Sequence, residues 1–497
     1  MPLNLSNRDQ NSGHLFYNRR LRAAITRYSV QMKHDDRKQQ AALVLSVVFA
    51  VLGAGWMALL HFMKPAGLVG QSALIGDRDT GAVYAKIDGR LYPALNLTSA
   101  RLAVGNAGDP TWVRAAEIAR YPSGPMIGIP GIPDNLTVRT ASTSAWSICD
   151  TAAPGGSTAS PVVTSIAGEL PDAAPAVPIR ADQAILVTHR ESTYVIWGGH
   201  RSRIDPAERS VTFNLGLDPG VTRAIGISNA LFDAMPATEP IAVPPIPEAG
   251  TPSTWLTEAT VGSVLETRDA NGVVNGFYVL LSEGVQKING FVADLLRTAD
   301  PRGIAAPRLV SPGKLVNIPT IDKLNVDYYP TGKLTFVDTA ASPVTCLTWT
   351  KQPGDRQAAI RIVSGRRLPV PVSMDSHVVS LVRDDRSLDS VEADQTLVLP
   401  GAANLVATTS GVVTSDSRES LYWLSPQGVR YGIQWDKTTL HALALNPRGA
   451  LQAPWSIIRT FAPGPAISRE NALVARDTID GGAVAPVTPY SHEVAEG

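Results

Sequence analysis

Ser373, Asp375, Ser376 and His377 place the residue types of a hydrolytic triad within five positions. A triad is made by geometry rather than by proximity in sequence, and Ser and Asp are ordinary loop residues, so this stretch reads as a loop. No G-x-S-x-G elbow is present to hold a serine for attack. A phosphate cradle needs G-x-x-x-x-G-K-[ST]. Gly313-Lys314-Leu315 and Gly332-Lys333-Leu334 lack both the upstream Gly and the hydroxyl after Lys. The eight histidines are scattered without metal spacing, and Asp384-Asp385 reads as a solvated turn. Asn96-Leu-Thr98 and Asn135-Leu-Thr137 match a glycosylation pattern that carries weight only in a eukaryotic secretory setting. What remains is Cys149 and Cys346, the two cysteines of the chain. They are too few for a Cys-rich zinc module but enough for one disulfide in an oxidising compartment.

The compartment is decided by the elements around these residues. Of 497 residues, 44% are hydrophobic and 18% charged, with 44 basic side chains balancing 44 acidic ones, which argues against a nucleic-acid binder. That length fits two to four compact units, and 41 Gly with 38 Pro suit short strands joined by turns. Residues 1–40 hold eight basic groups against three acids. Residues 41–63 then run without a charged side chain, long enough as a helix to cross a bilayer. The run is too long for a signal-peptide core, and only Lys64 follows it before Asp77. The positive-inside rule puts the N-terminus in the cytoplasm and the chain from about residue 64 outside the membrane. In the leader, Leu21, Ile25, Tyr28 and Met32 recur at helical spacing, with Arg19, Arg20, Arg22 and Arg27 off that stripe. This predicts a basic amphipathic helix that lies on anionic lipid or docks on a partner helix.

Beyond the span a strand-turn-strand signature occurs four times, at 82–95, 192–204, 276–288 and 420–433. Each copy sets a Tyr (Tyr84, Tyr194, Tyr278, Tyr422) five or six residues before a Gly (Gly89, Gly199, Gly284, Gly428), which is hairpin chemistry. A short helical stretch closed by prolines follows each, at 111–125, 228–240, 311–319 and 454–465. Cys149 lies 65 residues after Tyr84, and Cys346 lies 68 after Tyr278, so the cysteines occupy matching positions in two halves. Their neighbours, Trp146-Ser-Ile-Cys149 and Cys346-Leu-Thr-Trp349, predict matching core strands, with the Trp order reversed.

The expected architecture is α+β: one transmembrane helix, then an elongated exported domain of four small α/β repeats around a central β-rich domain, with pseudo-twofold symmetry. The boundaries expected are a cytoplasmic segment over 1–40, the span over 41–63, repeats over 64–140, 191–255, 256–335 and 416–477, a central domain built from 141–190 and 336–415, and a frayed tail over 478–497. Outside the cytoplasm, one cysteine per half predicts a Cys149–Cys346 disulfide, the alternative being two buried thiols. Closing a loop of about 200 residues stabilises by roughly 5 kcal/mol on the chain-entropy account.

Several stretches resemble the EccB component of mycobacterial type VII (ESX) secretion systems. They are Asp77-Arg-Asp-Thr-Gly81, the run Leu91-Tyr-Pro-Ala-Leu-Asn-Leu-Thr-Ser-Ala-Arg-Leu102, Gly128-Ile-Pro-Gly131, Ala453-Pro-Trp455 and Gly464-Pro-Ala-Ile-Ser-Arg469. The resemblance spans nearly the whole chain. It implies a single-pass inner-membrane structural subunit with a periplasmic C-terminal domain, assembling with an EccC-type motor ATPase, EccD and EccE and self-associating in a larger oligomer. Family members are also catalogued as ATPases, so ATP enters as a cofactor only through the resemblance. No catalytic, cofactor or metal residue is assigned from the sequence. Compartment and repeats together suggest peptidoglycan contact as a further reading.

Overall fold

The computed structural model describes residues 8–28, 33–63, 67–153, 160–171, 175–218, 220–300, 306–382, 390–409 and 417–477. The expected tail over 478–497 and the turn at Asp384-Asp385 lie outside them. Two helices open the chain, Arg8–Arg27 and Lys33–Met63. The second contains Gln40–Leu59, the one described stretch long and apolar enough to cross a membrane, with a mean hydropathy of 2.3. The expected amphipathic stripe stops early. Leu21 and Ile25 lie on the first helix, which ends at Arg27, whereas Tyr28 takes a φ of 51° and Met32 lies outside the described residues.

Four repeats share one topology: three antiparallel strands, a helix, a strand returning parallel to the first, and a short second helix. In the first repeat the strands are Leu74–Asp77, Val83–Ile87 and Arg90–Ala94, followed by helix Leu97–Val104, strand Thr111–Val113 and helix Ala115–Ile118. The second runs Gln183–His189, Ser192–Trp197, His200–Ile204, helix Arg209–Leu215, strand Ile225–Gly226 and helix Asn229–Ala234. The third runs Val264–Arg268, Val274–Leu281, Gly284–Ile288, helix Gly290–Ala299, strand Arg308–Leu309 and helix Pro312–Leu315. The fourth runs Leu405–Thr409, Ser420–Leu424, Val429–Ile433, helix Lys437–Ala442, strand Leu451–Pro454 and helix Trp455–Ile458. All four hairpins expected from the Tyr-to-Gly spacing are present. Asp88-Gly89 and Gly198-Gly199 both take positive φ at each position, the two-residue turn whose twist matches that of the strands.

One helix per repeat departs from expectation. The short second helices lie where the proline-closed stretches predict them, but the helix directly after each hairpin is an addition to the expected elements. Its start signals are plain in three copies. Asn96 accepts from Ser99 N–H, Asn289 from Val292 N–H, and Asp436 from Thr438 and Thr439 N–H. The first of these helices ends at Gly105, whose φ of 72° suits the left-handed cap position. These helices hold only six to ten residues, too few turns for apolar periodicity to stand out.

Between the repeats lies a seven-stranded sheet ordered Val379–Ser380, Gln395–Val398, Val162–Ala167, Ser144–Thr151, Val344–Lys351, Ala359–Gly365 and Ala176–Pro178. Its two middle strands, one from each half of the chain, run antiparallel over eight paired positions. Two of the four repeat sheets, the second and the fourth, begin ahead of the expected boundaries. Gln183–His189 pairs with Ser192–Trp197, and Leu405–Thr409 pairs with Ser420–Leu424, so each first strand belongs to its repeat rather than to the central domain.

Packing arranges these units in a row. The second and fourth repeats bury Ile227, Leu231, Met235, Ile457, Ile458 and Phe461 in one cluster with Trp146, Ile148, Leu347 and Trp349 of the central sheet. A second cluster joins the second repeat to the third through Val211, Leu215, Phe291 and Leu295. A third joins the first repeat to the fourth through Leu102, Ile129, Trp423 and Tyr431. The inner repeats therefore sit on the sheet and each carries an outer repeat, a pseudo-twofold arrangement.

Candidate functional site

Ser144–Thr151 and Val344–Lys351 place Cys149 directly opposite Cys346 and Trp146 directly opposite Trp349. The reversed Trp order read in the sequence is what this antiparallel register requires. The two cysteines are bonded, with Cα atoms 4.0 Å apart. Because side chains alternate faces along a strand and the Trp and Cys positions differ by three, the disulfide and the Trp pair lie on opposite faces. The disulfide packs with Ile166, Val344, Val363 and Leu397. On the other face Trp146 meets Phe461 edge-on, with ring centroids 5.9 Å apart. Its Nε1–H donates to Ser144 Oγ at 2.8 Å, and Ser144 Oγ–H donates to Gln452 O of the fourth repeat at 2.6 Å.

The two inner repeats are seated by different chemistry. Ser228, which caps the helix Asn229–Ala234, donates its N–H and its Oγ–H to the Asp150 carboxylate at 2.6 and 2.8 Å. Asp150 is only 2% exposed. Burial pushes its carboxyl up to about 7 against these two hydrogen bonds, and repulsion from Asp394 adds to the rise. The fourth repeat has a neutral seat. Thr460 Oγ1 lies 2.5 Å from Ser165 Oγ, and Thr460 O accepts from Ala393 N–H at 2.8 Å. An ion pair between Arg459 and Asp233 links the two inner repeats at 2.5 Å.

Each inner repeat also stacks an arginine on an aromatic ring. Arg201 lies 3.6 Å from the Phe232 ring centroid and donates to Phe232 O at 3.0 Å, while the His189 ring stacks on Phe232 at 3.7 Å. Arg430 lies 5.2 Å from the Trp455 ring and donates to Phe461 O at 3.0 Å, with Tyr422 stacked on Trp455 at 5.2 Å. Burial lowers both guanidiniums from the ordinary arginine value, yet arginine keeps its charge in proteins.

The other sequence candidates are engaged elsewhere. Asp375 pairs with Arg367, leaving Ser376 Oγ 3.4 Å from the ring of the adjacent His377 on an exposed 3₁₀ turn, Val372–His377. Lys314 Nζ donates to Glu258 Oε1 at 3.0 Å, and Lys333 Nζ lies 4.5 Å over the Phe213 ring. Asn96 caps a helix and donates to Ile129 O at 2.8 Å, and Asn135 Oδ1 accepts from Arg101 at 2.8 Å. No metal-holding group of His, Cys, Asp or Glu occurs among the described residues. Sequence reasoning passes over Asp150, Ser228, Arg201 and Arg430. A signal exists for the arginines, since each follows the hairpin Tyr by seven or eight residues in two of the four copies.

The chain matches the family described as "Type VII secretion system ESX-1, transport TM domain B" over residues 3–480. It is 63% identical to "ESX-2 secretion system ATPase EccB2" of Mycobacterium tuberculosis, covering 98% of this chain and 99% of that protein. A chain in the structure of an intact ESX-5 inner membrane complex matches it with a TM-score of 0.74 at 36% identity, over 98% of this chain and 99% of that one. A chain of the EccB3 dimer from the ESX-3 core complex matches with a TM-score of 0.70 at 34% identity, over 81% of this chain and all of that one.

Proposed function

The chain belongs to the EccB family of type VII secretion membrane components, and from that premise we propose how it works as a structural subunit of the secretion machine. Its span fixes it in the inner membrane, with the leader cytoplasmic and the repeats periplasmic. The observation carrying the reading is the central sheet, which one disulfide ties together across both halves of the chain on one face and which seats both inner repeats on the other. Such a body transmits position rather than chemistry: it holds four repeat surfaces in fixed relation to one membrane anchor.

The partners proposed are an EccC-type motor ATPase, EccD and EccE, with self-association into a larger oligomer. The basic leader meets them or the cytoplasmic leaflet. The test is to remove residues 1–40 in a native-like host and purify the complex through a tag on this chain. Loss of the co-purifying membrane subunits is the expected result, and an intact complex overturns the reading.

The name of the EccB2 relative supports a second reading, ATP hydrolysis by this chain. The lysines of both Gly-Lys pairs are engaged by Glu258 and Phe213, which favours placing the motor in the partner. Hydrolysis by the purified complex should vanish when the motor partner is disabled. Activity persisting in this chain alone supports the second reading.

A further inference from the structure

Asp150 is a buried carboxylate in an interface, and the groups around it are unusual. Its row across the central sheet runs from Val163 to Asp150, then to Thr345 and Ser364, each in register with the next, and Asp394 N–H donates to Val163 O beside it. Side chains in such a row share a face. Thr345 Oγ1 and Ser364 Oγ are buried and have no hydrogen-bond partner among the described residues. From the helix side, Ser228 supplies two donors to Asp150. The charged side chain that acts on it is another carboxylate, Asp394, which accepts from Val163 N–H at 2.9 Å. On the helix and the strand beside it, Asp233 pairs with Arg459 and His189 bonds Asn229 at 2.7 Å, while on the sheet Lys351 lies opposite Ser144 at the far end and Arg361 opposite Thr348 on the other face. A buried anion with no cation beside it is costly, whereas a buried neutral acid is not.

We propose that Asp150 takes up a proton when the second repeat docks on the central sheet, so that this seat, and not that of the fourth repeat, is set by pH. In the seated, protonated form one oxygen keeps the Ser228 N–H. The other, Oδ1, becomes the O–H donor across its 2.8 Å contact with Ser228 Oγ, which turns from donor to acceptor. When the helix Asn229–Ala234 lifts, water reaches the carboxyl and the proton leaves.

The sign follows from linkage. The seated group binds its proton more tightly than the exposed one, whose ordinary value is 3.8, and the seated value is about 7. Docking is therefore firmest in acid and weakens as pH climbs to about 7. Above that both forms are ionised and the dependence flattens.

The test is hydrogen exchange on the full-length protein in lipid nanodiscs from pH 5 to 8, corrected for intrinsic exchange. Opening of 229–234 should rise by up to roughly tenfold per pH unit below 7, while 455–458, seated by Ser165 and Thr460, stays flat. Asp150→Asn should abolish the slope and protect the helix at pH 8 as the native protein does at pH 5. Should that variant fail to fold, Asp394→Asn removes the repulsion without touching Ser228 and should move the break to lower pH. Equal slopes in both helices, no slope, a slope surviving Asp150→Asn, or an unmoved break in Asp394→Asn overturns the proposal.

Discussion

The second and fourth repeats differ from the first and third in what their aromatic residues face, although all four share one backbone plan. In the inner pair, Tyr194, Phe232, Tyr422 and Trp455 pack against the central cluster with an arginine over one ring of each pair. In the outer pair, Tyr84 packs with Ile75, Leu91 and Val113 of its own repeat, and Tyr278 with Leu265, Leu280 and Val285 of its own. A unit that closes its second-helix face internally meets its inner neighbour through its first helix and stands away from the sheet. One that leaves its second helix and aromatic corner open must dock, and the central sheet is what it docks on.

The sharpest way to break the comparison is to remove what the inner repeats dock against. Trp146→Ala deletes a side chain 1% exposed and should cost about 4 kcal/mol in denaturant unfolding of the full chain. Hydrogen exchange should then show protection lost first in the inner repeats and retained in the outer hairpins. Uniform loss across all four erases the distinction.

Replacing both Cys149 and Cys346 by Ser acts on the opposite face and should cost about 3 kcal/mol under oxidising conditions. Added reductant should shift the native protein toward the variant and leave the variant unmoved. Arg430→Met tests the aromatic corner, with an expected loss of about 1.5 kcal/mol, because the guanidinium is partly desolvated over Trp455. A helix cap in an outer repeat gives the local contrast. Asn289→Ala should cost about 1 kcal/mol and raise exchange in 290–299 while leaving 229–234 and 455–458 unchanged. The smallest effect is expected at Lys86, which lies 5.1 Å over Tyr121 on the surface, where Lys86→Met should cost about 0.5 kcal/mol.

What is legible in the chain is local or periodic. The Tyr-to-Gly spacing marks four hairpins because a tight turn imposes residue types at fixed offsets, and the structure has all four. The uncharged run over 41–63 marks the apolar helix for the same kind of reason, since bilayer thickness sets its length. The helices after the hairpins escape a reading of the sequence even though Asn96, Asn289 and Asp436 announce them, because helices this short show too little periodicity. The expected boundaries at 190 and 415 fall too late because the first strand of a repeat is told from a central strand only by its partner.

The candidate site divides in the same way. The Cys149–Cys346 pair is predictable because two cysteines in a chain read as exported have one pairing, and the reversed Trp order is the mark that an antiparallel register leaves on two matching strands. Asp150 is silent. An aspartate in sequence reads as a surface residue, and nothing near it in the chain names Ser228, 78 positions away, as its partner. By itself the sequence determined the span, the four-fold repetition and the disulfide, each written in spacing or composition. Only the tertiary structure decided which repeats dock, which stand outside, and that one seat holds a buried acid while its counterpart holds two hydroxyls. Those outcomes depend on which faces meet, and a face is assembled from residues hundreds of positions apart.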